Sequence, residues 1–189
     1  MGWIILAIVI VVIIIALVLW AVGAYNALVA LRNRVKNGWA QIDVQLKQRA
    51  DLIPNLVETV KGYAAHESQV FTQVTQARAS ALQAAQSGDV AQRIQAENQL
   101  SRAIMNLQAV AEAYPQLQAN QNFLDLQAQL KALEEKIAYA RQFYNDVVQK
   151  YNTKIEVVPT NIIAGLFHFE QAAYFQVDEA DRQAPQVKF

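Results

Sequence analysis

The amino-acid sequence predicts an all-α protein, in which an N-terminal transmembrane helix is followed by an elongated antiparallel helical bundle with long helices. Residues 1–31 contain no charged side chain, and beyond them the apolar residues recur every three or four positions with no strand-like alternation. Long helices joined by short loops pack as antiparallel neighbours, in coiled-coil fashion. We therefore expect a transmembrane helix over residues 1–24, a cytoplasmic helical bundle over 25–169 and a C-terminal tail over 170–189.

The N-terminal segment has the length and composition of a single membrane span. Between Trp3 and Trp20 nearly every residue is Ile, Val, Leu or Ala, and about 20 such residues cross a bilayer core as a helix. The two tryptophans lie near its ends, where such rings favour the membrane interface. A cleaved signal peptide needs basic residues before a shorter apolar core, so we expect this helix to be retained.

The charges that follow the span predict its orientation. Arg32, Arg34 and Lys36 come first, and no acid precedes Asp43. Because basic residues near a span prefer the cytoplasmic side, the short N-terminus is expected outside and the following domain in the cytoplasm.

The first long helix is expected to carry the apolar period from Leu28 to Ala81. No turn signal separates it from the span. Its weak points are Gly38, Pro54 and Gly62. Since an interior proline removes a backbone donor and crowds the preceding turn, we expect a kink upstream of Pro54, with a break as the alternative.

Later helices are delimited by turn and capping residues. The first clear turn is expected at Ser87 to Asp89, with Asp89 capping the second helix. That helix is expected to end at Tyr114, because Pro115 disfavours helical geometry in the residue before it. The connecting loop offers two capping amides, Asn120 and Asn122.

The third long helix is expected to run from Phe123 to Ile155 and to stop at Pro159. Thr160 and Asn161 are suited to cap a short helix that reaches Phe167. The order of the tail beyond about residue 170 is left open.

The composition and the motifs of the chain argue against an enzymatic function. The chain has no cysteine, which excludes disulfides and thiolate chemistry, and its net charge is zero, which gives no case for a nucleic-acid partner. Neither His66 nor His168 belongs to a metal-binding pattern, and there is no glycine-rich phosphate loop. We therefore predict no enzymatic activity, no catalytic residue, no cofactor and no metal site.

Two clusters are candidate hinge or interaction sites. Arg49, Asp51 and Asn55 surround the helix-interior Pro54. They either form a hinge or binding site, or Asp51 or Asn55 bonds a backbone group that the proline leaves free.

The second cluster is a repeated Tyr-Asn pair. Tyr144-Asn145 and Tyr151-Asn152 lie seven residues apart, on one face of a helix. They form either a platform for a ligand or a partly buried aromatic stripe. Further on, residues 166–169 either dip into the membrane interface or plug the end of the bundle.

These motifs together resemble the LemA family of bacterial membrane proteins, over nearly the whole chain. The matching segments are Tyr25-Asn26, Arg32 to Val35, Arg49 to Val57, Glu112 to Pro115, the two Tyr-Asn pairs, Pro159 and Pro185 to Phe189. The resemblance implies a helical bundle below one span of the bacterial inner membrane. It implies no enzymatic reaction and no cofactor. It does imply that the protein acts together with other membrane proteins, including proteases.

The leading hypothesis is therefore a non-enzymatic membrane scaffold. Its helix faces are rich in Gln, Ala and Asn, so we expect a homo-oligomer that organises or shapes the bilayer or its membrane-protein partners. The alternative is an adaptor or sensor for a partner such as a membrane protease, signalling through the Pro54 kink. A third hypothesis is an enzyme or small-ligand binder that uses a groove near Asp51 and Asn55.

Overall fold

The computed structural model describes residues 1–176, which confirm the all-α class. They form six helices: α1 (Gly2–Lys61), α2 (Ser68–Ser87), α3 (Val90–Glu112), α4 (Pro115–Gln118), α5 (Gln121–Glu156) and α6 (Thr160–Leu166). No strand occurs within these residues. The closing family motif, Pro185 to Phe189, lies outside the described residues.

Helix α1 is continuous from the apolar segment into the polar part of the chain. It runs for 60 residues and contains Pro54 in its interior. The sequence shows no turn signal after Gly23 but does not decide whether the two helical segments are continuous; the structure shows one helix, which also excludes the alternative of a break at Pro54.

The prediction that Ser87 to Asp89 forms the first turn was wrong. A turn at residues 62–67 already separates α1 from α2, and α1 closes with the Ala64 amide donating to the Val60 carbonyl at 2.9 Å. The apolar period hid this turn, because Val60, Ala64 and Phe71 are all buried in the same core. Gly62, a poor helix former, marks the point where the helix ends.

The start of α3 follows the prediction, whereas its end does not. Asp89 Oδ1 accepts from the backbone amides of Ala91 at 2.9 Å and Gln92 at 3.3 Å, so the predicted cap is confirmed. The helix ends at Glu112 rather than Tyr114. Tyr114 instead precedes the one-turn helix α4, whose first residue is Pro115, a position where proline loses no helical bond.

The sequence suggested that Thr160 caps α6, but the structure shows that it does not. No side-chain hydrogen bond caps α6, which follows Pro159. The Thr160 hydroxyl donates instead to the carbonyls of Lys154 at 2.8 Å and Val157 at 3.0 Å. The Lys154 carbonyl belongs to the last turn of α5, where carbonyls lack helical donors, whereas the Val157 carbonyl also accepts from the Asn161 amide at 2.9 Å.

The chain divides into two compact units. Unit 1 contains Met1–Trp39 and Phe143–Ala172, and unit 2 contains Ala40–Gln142 and the chain from Ala173. The core of unit 2 is built from α1, α2, α3, α4 and α5, with Val60, Val74 and Leu100 fully buried. In unit 1, α1, α5 and α6 bury residues such as Leu28 and Val148.

Candidate functional site

Unit 2 contains an ion cluster, which we define as Arg49, Arg93, Asp43, Glu97 and Glu134. Its centre is buried, whereas the side chains of Asp43 and Glu134 are 49% and 41% exposed. Arg49 of α1 is fully buried. One terminal nitrogen, Nη2, lies 2.5 Å from Glu97 Oε2, and the other, Nη1, lies 2.7 Å from Glu134 Oε1. Since Glu97 belongs to α3 and Glu134 to α5, one guanidinium connects three helices.

Glu97 stands at the centre of the ion cluster. Its side chain is fully buried, and its second oxygen, Oε1, lies 3.0 Å from Arg93 Nη2. Arg93 Nη2 also lies 3.3 Å from Asp43 Oδ1, while its Nη1 donates to the Ala81 carbonyl of α2. A buried carboxylate is costly unless it is paired, and here two arginines pair it.

A third arginine, Arg141 of α5, adds positive charge to the same interior. Burial lowers its pKa from the ordinary value, and the Arg49 charge lowers it further, against the attraction of Glu134 and Glu97. Its guanidinium lies 4.3 Å from the centre of the Phe175 ring, a cation–π contact.

Sequence analysis singled out Arg49 but missed Glu97, Arg93 and Glu134. The large apolar residues of α3 pass from Ile94 to Leu100, with five residues between them. A helical period requires an inward residue between them, and the buried Glu97 occupies that position. A charge on an apolar stripe was therefore the available signal.

The proline of α1 is accommodated by a different helix. Pro54 cannot donate to the Ala50 carbonyl four residues earlier. Arg78 of α2 fills that place, because its Nε donates to the Ala50 oxygen at 2.7 Å. Asp51, expected as one possible partner for such a group, instead forms an exposed ion pair with Lys47 at 3.0 Å.

Asn55 lies on the exposed surface of unit 2 and lines an open groove of about 470 Å³. The groove lies between α1 and α5, and two carboxylates, Glu58 and Asp125, also line it. Asp51 is not among its lining residues. Within residues 1–176, no group of three or more His, Asp or Glu side chains is arranged to hold a metal ion.

The first Tyr-Asn pair lies in unit 1. Tyr144 is 2% exposed and meets the Trp39 ring edge-on, with ring centres 5.6 Å apart. A methyl group at Gly38 would lie 3.6 Å from the Tyr144 Cα, so α1 and α5 approach closely there. Burial raises the pKa of Tyr144 to about 12. Asn145 is half-buried on the same helix.

The second Tyr-Asn pair, Tyr151-Asn152, also lies in unit 1, where Asn152 binds the backbone after α6. Tyr151 is buried, which raises its pKa, and Arg32 partly opposes that rise. The Asn152 amide donates to the Ala172 carbonyl and accepts from the Ala172 amide, each at 2.9 Å. Burial of both tyrosines fits an aromatic stripe, and Asn152 binds the backbone of the segment that follows α6.

The apolar side chains at the N-terminal end of α1 are not covered by any other part of the described chain. Every large apolar side chain from Trp3 to Leu19 is at least 47% exposed, and Trp20 is 41% exposed. By length and composition α1 can cross a membrane, and it is the one helix of residues 1–176 that can.

These features define a class: an all-α protein with one N-terminal helix suited to a membrane anchor, and with helices joined by a buried ion cluster. Comparison with known proteins gives the family. The LemA family model matches residues 38–189, and the chain belongs to that family.

Several curated proteins are similar to this chain at low identity. The magnetosome proteins MamQ 2 and MamQ 1 of Paramagnetospirillum magneticum are each 25% identical over 175 residues, covering 80% of this chain and 64% of theirs. The protein LemA of Metamycoplasma hominis is 25% identical over 163 residues, covering 85% of this chain and 73% of its own. The chain thus spans somewhat less than two thirds of the MamQ proteins.

Proposed function

We propose that this protein is a non-enzymatic scaffold of a bacterial inner membrane, anchored by the apolar part of α1 and self-assembling through its helices. The observation that carries the proposal is the bare apolar surface of α1 from Trp3 to Leu19. Exposing each such side chain to water costs about 1.5–3 kcal/mol relative to burial. A bilayer core removes that cost without any protein partner.

The proposed orientation has the N-terminus outside, and it has unit 2 and the part of unit 1 that follows the span in the cytoplasm. Arg32, Arg34 and Lys36 are exposed on α1 directly beyond the apolar part, and basic side chains in such positions prefer the cytoplasmic side. A C-terminal fusion to a reporter enzyme that works only after export is expected to be inactive. An active reporter would reverse the orientation.

Self-assembly is proposed to use an amide face of unit 2, which we define as Gln73 and Gln76 of α2 with Gln95 and Gln99 of α3. All four side chains are exposed, and all but Gln95 line one groove of about 360 Å³. Amides hydrogen-bond to one another without the repulsion of like charges. Such a face therefore suits contact with a second copy of the same chain.

The arrangement of charged groups favours a structural role over catalysis. In the ion cluster, each of Arg49, Arg93 and Glu97 is paired with groups of opposite charge, so their charges serve helix contacts. The groove beside Asn55 is wide open, whereas small-molecule sites usually enclose most of the ligand.

Measuring the mass of the full-length protein in mild detergent, by light scattering during size-exclusion chromatography, tests the proposal. We expect an oligomer that Gln76→Glu with Gln99→Glu weakens, because these changes bring like charges together. The matched control, Gln142→Glu with Gln149→Glu, makes the same charge change at two exposed positions of α5. A strict monomer without retained partners would refute self-assembly, and equal effects of both pairs would refute the amide face.

A further inference from the structure

Helix α6 and two residues beside it, Val158 and Phe167, present an apolar face that the described chain leaves largely exposed. We propose that this face, defined as Val158, Ile162, Leu166 and Phe167, rests in the lipid bilayer interface as a second membrane contact of unit 1. The inference rests on the proposed membrane span of α1, and it identifies a lipid surface as the partner of α6.

The two sides of α6 differ sharply in burial. Ile162 is 64% exposed and Leu166 is 69% exposed, and a spacing of four places them on one helix face. The opposite side is packed against unit 1, since Ile163 is 7% exposed and Ala164 is 1% exposed. Helix α6 contains no charged residue. Asn161 is the one polar side chain among the exposed residues of α6, so the exposed side is mainly apolar and lacks the charged residues typical of a solvated face.

The position of this face along α1 matches the membrane surface. The Phe167 ring centre lies 4.7 Å from that of Tyr25. Tyr25 follows Trp20 by five residues, which is about 7.5 Å along a helix axis. The polar layer on each side of a bilayer core is about 5–7 Å thick. If Trp20 marks the end of the core, Tyr25 and the Phe167 ring beside it lie near the outer edge of the headgroup layer.

The aromatic residues at the end of α6 divide between the interior and the surface. Phe169 is 7% exposed, and the Arg32 guanidinium lies 5.0 Å from its ring centre. It therefore closes unit 1, whereas Phe167 is 51% exposed. For residues 166–169 the sequence allowed either insertion into the membrane interface or closure of the bundle end. In the proposed arrangement Leu166 and Phe167 contact the interface, and Phe169 packs inside unit 1.

The lipid surface is favoured over a protein partner because the face continues the proposed membrane contact of α1. Tyr25, against which Phe167 packs, lies directly after the segment that is proposed to span. The exposed Arg32 and Arg34 follow on the same helix, and such cations are attracted to anionic lipid headgroups. A second copy of the chain remains a defined outcome of the test below.

Spin labels can report the environment of this face, because the chain contains no cysteine. Full-length Ile162→Cys and Leu166→Cys variants would each carry one nitroxide in phosphatidylcholine and phosphatidylglycerol vesicles. Val11→Cys is the control for the proposed span, and Gln149→Cys is the control for water, since Gln149 is exposed on α5 in the same unit. Collisions with oxygen and with a water-soluble nickel chelate are measured by electron paramagnetic resonance.

We expect labels at positions 162 and 166 to lose nickel collisions and gain oxygen collisions relative to position 149, and to lie shallower than position 11. Equal values at 162, 166 and 149, with position 11 in lipid, would overturn the α6 inference and leave the span intact. Loss of both kinds of collision at 162 and 166 would mean that protein covers the face, which also overturns it. Water exposure at position 11 would instead refute the proposed span.

Discussion

Arg78 of α2 donates from Nε to the Ala50 carbonyl oxygen of α1 at 2.7 Å, the acceptor that the Pro54 nitrogen cannot serve. A proline inside a helix normally leaves such an oxygen to water or to a neighbouring side chain. Because Ala50 is fully buried, an unserved carbonyl would be expensive there. The proline and the arginine therefore form one structural feature that joins two helices of unit 2.

Replacing Arg78 should therefore have a cost that depends on residue 54. Arg78→Met is expected to lower the free energy of unfolding by about 1–3 kcal/mol, because it leaves a buried acceptor unsatisfied. With Pro54→Ala present, the restored amide of residue 54 can bond the Ala50 oxygen, so the same change should cost less. Urea unfolding of the four proteins in mild detergent measures the difference. Gln86→Met, an exposed change on α2 outside the amide face, is the control, and an equal cost with and without Pro54 would contradict this explanation.

Glu97 is predicted to be the most sensitive carboxylate of unit 2. Glu97→Gln leaves Arg49 and Arg93 buried with one negative charge fewer, and breaking a buried pair in this way costs about 3–5 kcal/mol. The same substitution at Glu112, exposed on the same helix, should change stability by less than about 0.5 kcal/mol. Denaturant unfolding in detergent compares the two, and similar small losses would show that the buried pairs contribute little.

The sequence was informative about helices and much less so about the contacts between them. The period of apolar residues identified Ile42, Leu46 and Ile53 as inward positions, and all three are buried. It did not reveal the turn at 62–67, since the buried stripe continues through it. Nor can a period in one helix show which distant side chain meets it, so the pairing of Arg78 with Ala50 needed three-dimensional structure.

Among the candidate residues, local roles could be predicted from the sequence, whereas contacts with distant parts of the chain could not. Asp89 could be predicted as a cap because a cap acts within its own turn. The partners of Arg49 lie 48 and 85 positions away, beyond the reach of local patterns. The helix face of Asn152 could be predicted from its spacing, whereas its hydrogen bonds to Ala172 depend on the path of the chain after α6.

Asn152 is expected to restrain the segment that follows α6. Asn152→Ala removes two hydrogen bonds to the Ala172 backbone, together worth about 1–3 kcal/mol. Hydrogen exchange at the Ala172 amide should accelerate by roughly 5- to 150-fold, since each 1.4 kcal/mol is a factor of ten. Asn161→Ala, an exposed change in the same unit, should leave that exchange rate unchanged. Unaltered exchange in the Asn152 variant would mean that other contacts hold the segment.

Alkaline pH should destabilise the fold partly through Tyr144. Its pKa is raised from 10.0 to about 12 by burial, so between these values the unfolded chain releases a proton that the folded chain retains. Stability therefore falls as the pH rises from about 10 to about 12. Tyr144→Phe should fall less steeply over this range, measured by denaturant unfolding at each pH, whereas Tyr139→Phe, at a 74% exposed position, should match the unmodified protein. Identical slopes for all three would contradict a buried, neutral Tyr144.

Electron cryotomography of the full-length protein in reconstituted bilayers tests the central claim of an anchored, self-assembling scaffold most directly. The account predicts copies embedded through α1 and arranged in an ordered array on one membrane face, with the array lost in the Gln76→Glu with Gln99→Glu variant. Isolated, randomly spaced copies at high protein density would contradict self-assembly, and protein that fails to associate with the bilayer would contradict the anchor.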